Sequence, residues 1–180
     1  MPRNIEIKAR CPDKATATAK AIELSDSMGT VLRQTDTFFH CPNARLKLRP
    51  DGELIHYQRA NRKGPKQSRY TRTQVANAND LIKVLEAAYG VLGVVRKTRH
   101  LYLVGRTRIH LDQVEDLGSY IELEVVLSDE EEESVGVAEA QELMSQLSIA
   151  EAELEEVAYL DLLLDKAPLP PTSSVPSFSP

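Results

Sequence analysis

The residues that could do chemistry in this chain stand at every second position. Asn4, Glu6, Lys8 and Arg10 alternate with Ile5, Ile7 and Ala9. The pattern returns as Arg45, Lys47 and Arg49 around Leu46 and Leu48, then as Lys97 and Arg99. It returns again as Arg106, Arg108, His110 and Asp112 around Thr107, Ile109 and Leu111, and finally as Glu122 and Glu124. Alternation of this kind marks β-strands with one polar and one apolar face. A single such strand would be half-buried, its charges solvated. Here at least four repeat, and their signs are segregated. Bases side by side on one face repel unless an anion sits among them, and neighbouring carboxylates call for a cation. A polyphosphate on Lys and Arg, with a divalent metal on the carboxylates, answers both needs. Hard oxygen donors suit Mg²⁺ or Mn²⁺.

The elements that must position these residues follow from periodicity and punctuation. Further strands are predicted over 30–40, with Val31, Leu32, Phe38 and Phe39 as core candidates, over 54–60 after the Pro50-Asp51-Gly52 turn, and over 69–75. An alanine-rich helix over 14–24 takes Asp13 as its N-cap. A short helix over 80–89 carries Leu81, Ile82, Leu85 and Ala88 at helical spacing and stops at Gly90. An acidic helix over 130–147 is expected behind a Ser128-Asp129 cap, with Glu130 to Glu133 solvated in its first turn. The stretch 149–165 reads as partly helical. Two arrangements suit these strands: a closed antiparallel barrel lined by the charged faces with helices outside, or a sandwich with its charged face outward.

Composition narrows the classes. A chain of 180 residues is expected to form one domain with a real core. The net charge of −5 argues against a nucleic-acid partner. Bases crowd between Arg45 and Arg108 and acids from Asp112 onward, so one site could draw on both regions. Cys11 and Cys41 have neither CxxC nor metal-ligand spacing and read as free thiols. There is no apolar run of membrane-spanning length and no apolar leader at the start, so the expectation is a cytoplasmic protein without a membrane partner. The Pro/Ser-rich segment 166–180 reads as a disordered tail behind a domain over 1–165.

Taken in order, Asn4-x-Glu6-x-Lys8, Arg45-Leu-Lys47-Leu-Arg49, Lys97-x-Arg99, Arg106-x-Arg108, and Asp112-x-Val114-x-x-Leu117-Gly118-x-x-Ile121-Glu122-x-Glu124 resemble the CYTH domain family. That family groups class IV adenylyl cyclases with thiamine triphosphatases and inorganic triphosphatases. The segment Tyr159-x-Asp161-Leu162-Leu163 resembles the cyclase-like branch. The resemblance implies an α+β fold: a closed eight-stranded antiparallel β-barrel, the triphosphate tunnel, with helices packed outside. It also implies a triphosphate-containing small molecule as ligand, Mg²⁺ or Mn²⁺ as cofactor, and pairing into a homodimer in many members. By position, Glu6, Asp112, Glu122 and Glu124 correspond to metal ligands. Lys8, Arg45, Lys47, Arg49, Arg59, Lys66, Lys97, Arg99, Arg106 and Arg108 correspond to the phosphate-binding set, and Lys8, Glu122, Glu124 and Arg108 to the catalytic groups. Asn4 departs from the family, which usually has Glu there; Asn keeps an oxygen donor and loses a charge.

The resemblance implies displacement at phosphorus, in which positioning and charge stabilisation supply most of the catalysis. The first expectation is metal-dependent hydrolysis of inorganic triphosphate or of an organic triphosphate such as thiamine triphosphate. The alternative is a class IV adenylyl cyclase that makes cyclic AMP and pyrophosphate from ATP. A non-catalytic triphosphate or polyphosphate binder is a third, favoured by the missing charge at Asn4. The chain has no Trp, so Tyr57 or Phe39 would have to serve as a base-stacking platform. His110 shares the charged face of Arg108 and Asp112 and could touch a ligand or orient a carboxylate, although an ordinary structural hydrogen bond is the commoner fate of such a histidine.

Overall fold

A computed structural model describes residues 2–166; the tail expected from 166 onward lies, but for Lys166 itself, outside the described residues. Eight antiparallel strands close into a barrel in the order β1-β5-β4-β3-β2-β6-β7-β8, with β8 pairing back onto β1. They are β1 (Arg3–Arg10), β2 (Thr30–Phe39), β3 (Arg45–Leu48), β4 (Glu53–Arg59), β5 (Lys66–Gln74), β6 (Val91–Val104), β7 (Thr107–Val114) and β8 (Gly118–Leu127). Closure removes every edge strand and turns one face of each strand inward. The barrel, not the sandwich, is the architecture.

The apolar face of each strand pair is covered from outside. Helices α1 (Lys14–Ser25) and α3 (Glu133–Gln146) pack on β1, β6, β7 and β8. Beneath them Ile7, Ala9, Ile109, Leu111, Ile121 and Leu123 are buried against Ala17, Ala21, Leu143 and Met144. Each large side chain buried in this way contributes about 1.5–3 kcal/mol. At Gly136 of α3 an added Cβ would lie 2.7 Å from Ile5 and 2.8 Å from Leu127, so glycine sets how closely α3 seats. Helix α2 (Ala78–Tyr89) covers Phe39 and Leu48 through Leu81, Ile82 and Leu85.

The elements depart locally from the sequence reading. Asp13 caps α1 as expected, accepting from Thr16 N at 3.0 Å. The acidic helix starts at Glu133 instead of 130, because the preceding turn is held from elsewhere. The Arg3 guanidinium donates to the carbonyls of Ser128, Asp129 and Glu131, and the Glu131 carboxylate binds Arg106 at 2.5 Å. Val31, expected in the core, is 58 % exposed. Beyond a single 3-10 turn at Glu151–Glu153, the chain runs to α4 (Tyr159–Lys166), which lies across one end of the barrel. Gly93 of β6 lets Leu160 of α4 approach; a Cβ there would sit 2.5 Å from the Leu160 side chain. Both cysteines are free. Among the described residues no helix is long and apolar enough to cross a membrane.

The candidate functional site

The inward faces of the strands enclose a cavity of about 420 Å³. Eight cationic and six anionic side chains line it, a surplus of positive charge in an enclosed space. Burying so many charges is tolerable only if each is paired, so the pairing describes the site.

On β1, β7 and β8 the registry sets two rows of ionisable groups. Glu6 stands opposite Glu124, which stands opposite Arg108; Lys8 stands opposite Glu122, which stands opposite His110. Lys8 Nζ lies 2.6 Å from Glu122 Oε1, and Arg99 from β6 binds the other oxygen of Glu122. Burial raises the Glu122 pKa, but Lys8 and Arg99 outweigh it and hold the carboxyl well below the usual range. Burial pulls Lys8 below the ordinary lysine value despite Glu122. Arg59 binds Glu6 at 2.6 Å through Nη1, while its buried Nε and Nη2 have no partner within the chain. Arg108 Nε is 3.4 Å from Glu124 and likewise lacks a hydrogen bond.

Across the cavity, β2, β3 and β6 build a different arrangement around one carboxylate. Asp36, 1 % exposed, receives Lys47 at 3.0 Å, Arg49 at 2.6 Å and Lys97 at 3.3 Å. Burial alone would raise the Asp36 pKa; the three cations hold it well below the carboxylate range. Burial is also the largest influence on Lys47, whose pKa falls to about 8 although Asp36 opposes the shift.

The end of the tunnel beneath α4 is closed by aromatic and carbonyl groups. Lys8 Nζ lies 3.4 Å from the centre of the Tyr159 ring, and the Tyr159 hydroxyl donates to Asp112 at 3.0 Å. Tyr120 meets Tyr159 edge-on, with centroids 5.1 Å apart. Asp112 is fully buried and accepts from Nε and Nη2 of Arg99, at 2.7 and 2.6 Å. Lys66 donates to the carbonyls of Arg62, Glu155 and Glu156, and Arg45 binds Asp161 at 2.6 Å. Two bases from the phosphate-binding set thus hold the C-terminal segment in place.

Of the residues singled out from the sequence, Glu6, Lys8, Lys47, Arg49, Arg59, Lys97, Arg99, Arg108, Glu122 and Glu124 line the cavity together. Arg45, Lys66 and Asp112 belong to the closed end. Arg106 is not brought in: it precedes β7, and its guanidinium lies outside the barrel against Glu131 and Glu139 of the α3 region. Asp36 was missed, although strand parity exposes it, since Leu32, Gln34, Asp36 and Phe38 share one face and all line the cavity. Of the two proposed stacking residues, Tyr57 lines the cavity and Phe39 packs outside under α2.

A divalent cation fits this donor set. Ligand atoms of His110, Glu122 and Glu124 all lie within 4.8 Å of one another, the one such grouping of three among the described residues. Glu6, the nearest further carboxylate in register, is engaged by Arg59.

Comparison with known proteins agrees with this geometry. The family model described as the CYTH domain matches residues 2–159. Among solved structures, the PH1012 protein of Pyrococcus horikoshii superposes with a TM-score of 0.76 at 21 % identity, covering 88 % of this chain and 98 % of its own. A conserved hypothetical protein of Pyrococcus furiosus gives a TM-score of 0.75 at 17 % identity over 88 % and 99 %. A Vibrio parahaemolyticus protein provisionally described as an adenylate cyclase gives 0.71 at 21 % identity over 89 % and 97 %. None of the curated proteins compared with the chain matches it. At these identities the structural likenesses establish the fold.

Proposed function

The chain belongs to the CYTH domain family, and on that premise we propose that it hydrolyses a triphosphate in its tunnel with the help of a divalent metal. One observation carries the reading. The same cavity holds buried guanidinium nitrogens without acceptors, on Arg59 and Arg108, and a cluster of carboxylate and imidazole donors, on Glu122, Glu124 and His110, whose ligand atoms lie within 4.8 Å of one another. A phosphate chain supplies acceptors to the first, and Mg²⁺ or Mn²⁺ suits the second.

In this reading Lys47, Arg49 and Lys97 bind one part of the phosphate chain, and Arg59, Arg99 and Arg108 bind the part nearest the carboxylates. Glu122 and Glu124 hold the metal, which when bound neutralises phosphate oxygens and makes phosphorus more open to attack. Lys8 Nζ, kept at Glu122 and over Tyr159, stabilises charge that develops on the transferred phosphoryl group. Phosphoryl transfer asks little covalent chemistry of the protein, and a preorganised cage of fixed charges meets that demand.

A second reading, cyclisation of ATP to cyclic AMP and pyrophosphate, draws on Leu32, Ile55, Tyr57, Tyr70 and Leu101. They give the cavity apolar surface that inorganic triphosphate does not need. One experiment separates the two. Purified protein is offered inorganic triphosphate, thiamine triphosphate and ATP, each with Mg²⁺ or Mn²⁺, beside a Glu122→Gln/Glu124→Gln variant. Orthophosphate release that the variant loses is expected, by a factor on the order of 10² or more. Cyclic AMP with pyrophosphate would replace the first reading by the second. Triphosphate-induced thermal stabilisation without turnover would make the tunnel a binding site.

A further inference from the structure

His110 is the anomaly in the tunnel. Its side chain is 5 % exposed, and its Nδ1 has no hydrogen-bond partner. A buried imidazole normally donates or accepts at both nitrogens, because an unsatisfied ring nitrogen costs free energy. The nearest acceptors are Glu122 Oε2 at 3.7 Å and Glu124 Oε1 at 3.8 Å. Both separations are too long for a hydrogen bond. They are short of twice a metal–ligand bond of about 2.1 Å, so an ion between the ring and either carboxylate can reach both partners. The strand registry fixes this spacing, since His110 on β7 stands directly opposite Glu122 on β8.

We propose that His110 Nδ1 is a ligand of the tunnel metal, completing a mixed nitrogen–oxygen site with Glu122 and Glu124 that prefers Mn²⁺ to Mg²⁺. The inference rests on the metal in the proposed function and names a donor that carboxylate chemistry alone would not. Mg²⁺ is a hard ion that takes oxygen ligands and keeps its waters. Mn²⁺ accepts oxygen as readily and gains more from an imidazole. The other two neighbours leave His110 this role. Glu122 is already held by Lys8 and Arg99, whereas Glu124 meets Arg108 only at 3.4 Å and keeps oxygen free beside the imidazole.

The test is made without triphosphate, so it stands apart from any turnover assay. Metal-free protein is titrated with Mn²⁺, and free ion is followed by electron paramagnetic resonance. Mg²⁺ affinity is then read by competition. Pulsed spectra of the bound ion are expected to show nitrogen coupling from one imidazole. His110→Gln should remove that coupling and weaken Mn²⁺ binding by about tenfold or more, while Mg²⁺ affinity changes by less than about threefold. Glu122→Gln should weaken both ions, which places the signal in the tunnel. The wild-type nitrogen coupling is decisive even if the variant folds poorly. Bound Mn²⁺ without nitrogen coupling, equal losses of Mn²⁺ and Mg²⁺ in His110→Gln, or no Mn²⁺ binding at millimolar concentration would each overturn the proposal. Absence of triphosphate turnover would leave the nitrogen coupling intact and count against the hydrolase reading alone.

Discussion

On the wall built by β1, β7 and β8, three carboxylates crowd together and borrow cations from around the barrel: Lys8 and Arg99 at Glu122, Arg59 at Glu6, Arg108 at Glu124. On the wall built by β2, β3 and β6 three cations crowd on one carboxylate, Asp36, and Arg49 also reaches Glu53 of β4. The first wall spreads four cations over three carboxylates, and the second places three on one. The first gathers the His110, Glu122 and Glu124 cluster together with the unpartnered guanidinium nitrogens of Arg59 and Arg108; the second carries more cations than its one carboxylate balances. On the proposed function a metal would suit the first wall, and a phosphate chain would reach from it to the second within a cavity of about 420 Å³. Charge segregated along the sequence has become charge segregated across a cavity.

The comparison is broken most severely by removing the anion that three cations of the basic wall share. Asp36→Asn leaves Lys47 and Lys97 buried without the carboxylate they share and Arg49 with Glu53 alone, and loss of one partner of a buried ion network costs about 3–5 kcal/mol. The melting temperature should fall by roughly 10 °C. Inorganic triphosphate, which restores the missing negative charge, should then raise the melting temperature of the variant more than that of the wild type. An unchanged melting temperature would mean that Asp36 does not set this wall.

Much of this organisation was legible in the sequence because alternation is read directly from it. Residues two apart on a strand share a face, and closure of the barrel did the rest for Glu6, Lys8, Lys47, Lys97, Arg99, Arg108, Glu122 and Glu124. Asp36 escaped because the apolar residues at 32 and 38 mark β2 as core-facing, whereas tunnel walls mix Leu and Phe with charge on one face. Arg106 has the parity of Arg108 but sits just outside β7, where the chain is free to send it to Glu131 and Glu139. Arg45 and Lys66 find partners 116 and about 90 residues away in sequence, and no local pattern carries such a contact. The orphan nitrogen of His110 is a property of two strands in register and has no sequence signal beyond a histidine on a charged face.

The closed end sharpens the comparison because its Tyr159 ring touches both walls, Lys8 at 3.4 Å and Lys97 at 5.3 Å, while its hydroxyl serves Asp112 alone. Tyr159→Phe keeps the ring under Lys8 and removes only the hydroxyl that donates to Asp112. A hydrogen bond to a charged acceptor contributes about 1.5–3 kcal/mol, so a smaller fall in melting temperature than for Asp36→Asn is expected. Triphosphate binding by the basic wall should change little. If instead Tyr159→Phe abolishes that binding, α4 would be shaping both walls and the division between them would be wrong.

The smallest effect is the most specific to the basic wall, and it is a matter of sign. Burial lowers the Lys47 pKa from 10.5 to about 8. Between those values the unfolded chain binds more protons than the folded one, so this group makes the free protein more stable as pH rises through that window. Affinity for triphosphate moves the other way. Only charged Lys47 attracts phosphate, and above about pH 8 binding must take up a proton. Metal-free binding of inorganic triphosphate, measured by calorimetry, should therefore weaken by about tenfold between roughly pH 7 and 9. Lys47→Arg stays charged throughout and should flatten this contribution while preserving the cationic trio around Asp36. A wild type with no such decline, or a variant with the same decline, would show that Lys47 does not carry the phosphate and would shift that role to Arg49 and Lys97.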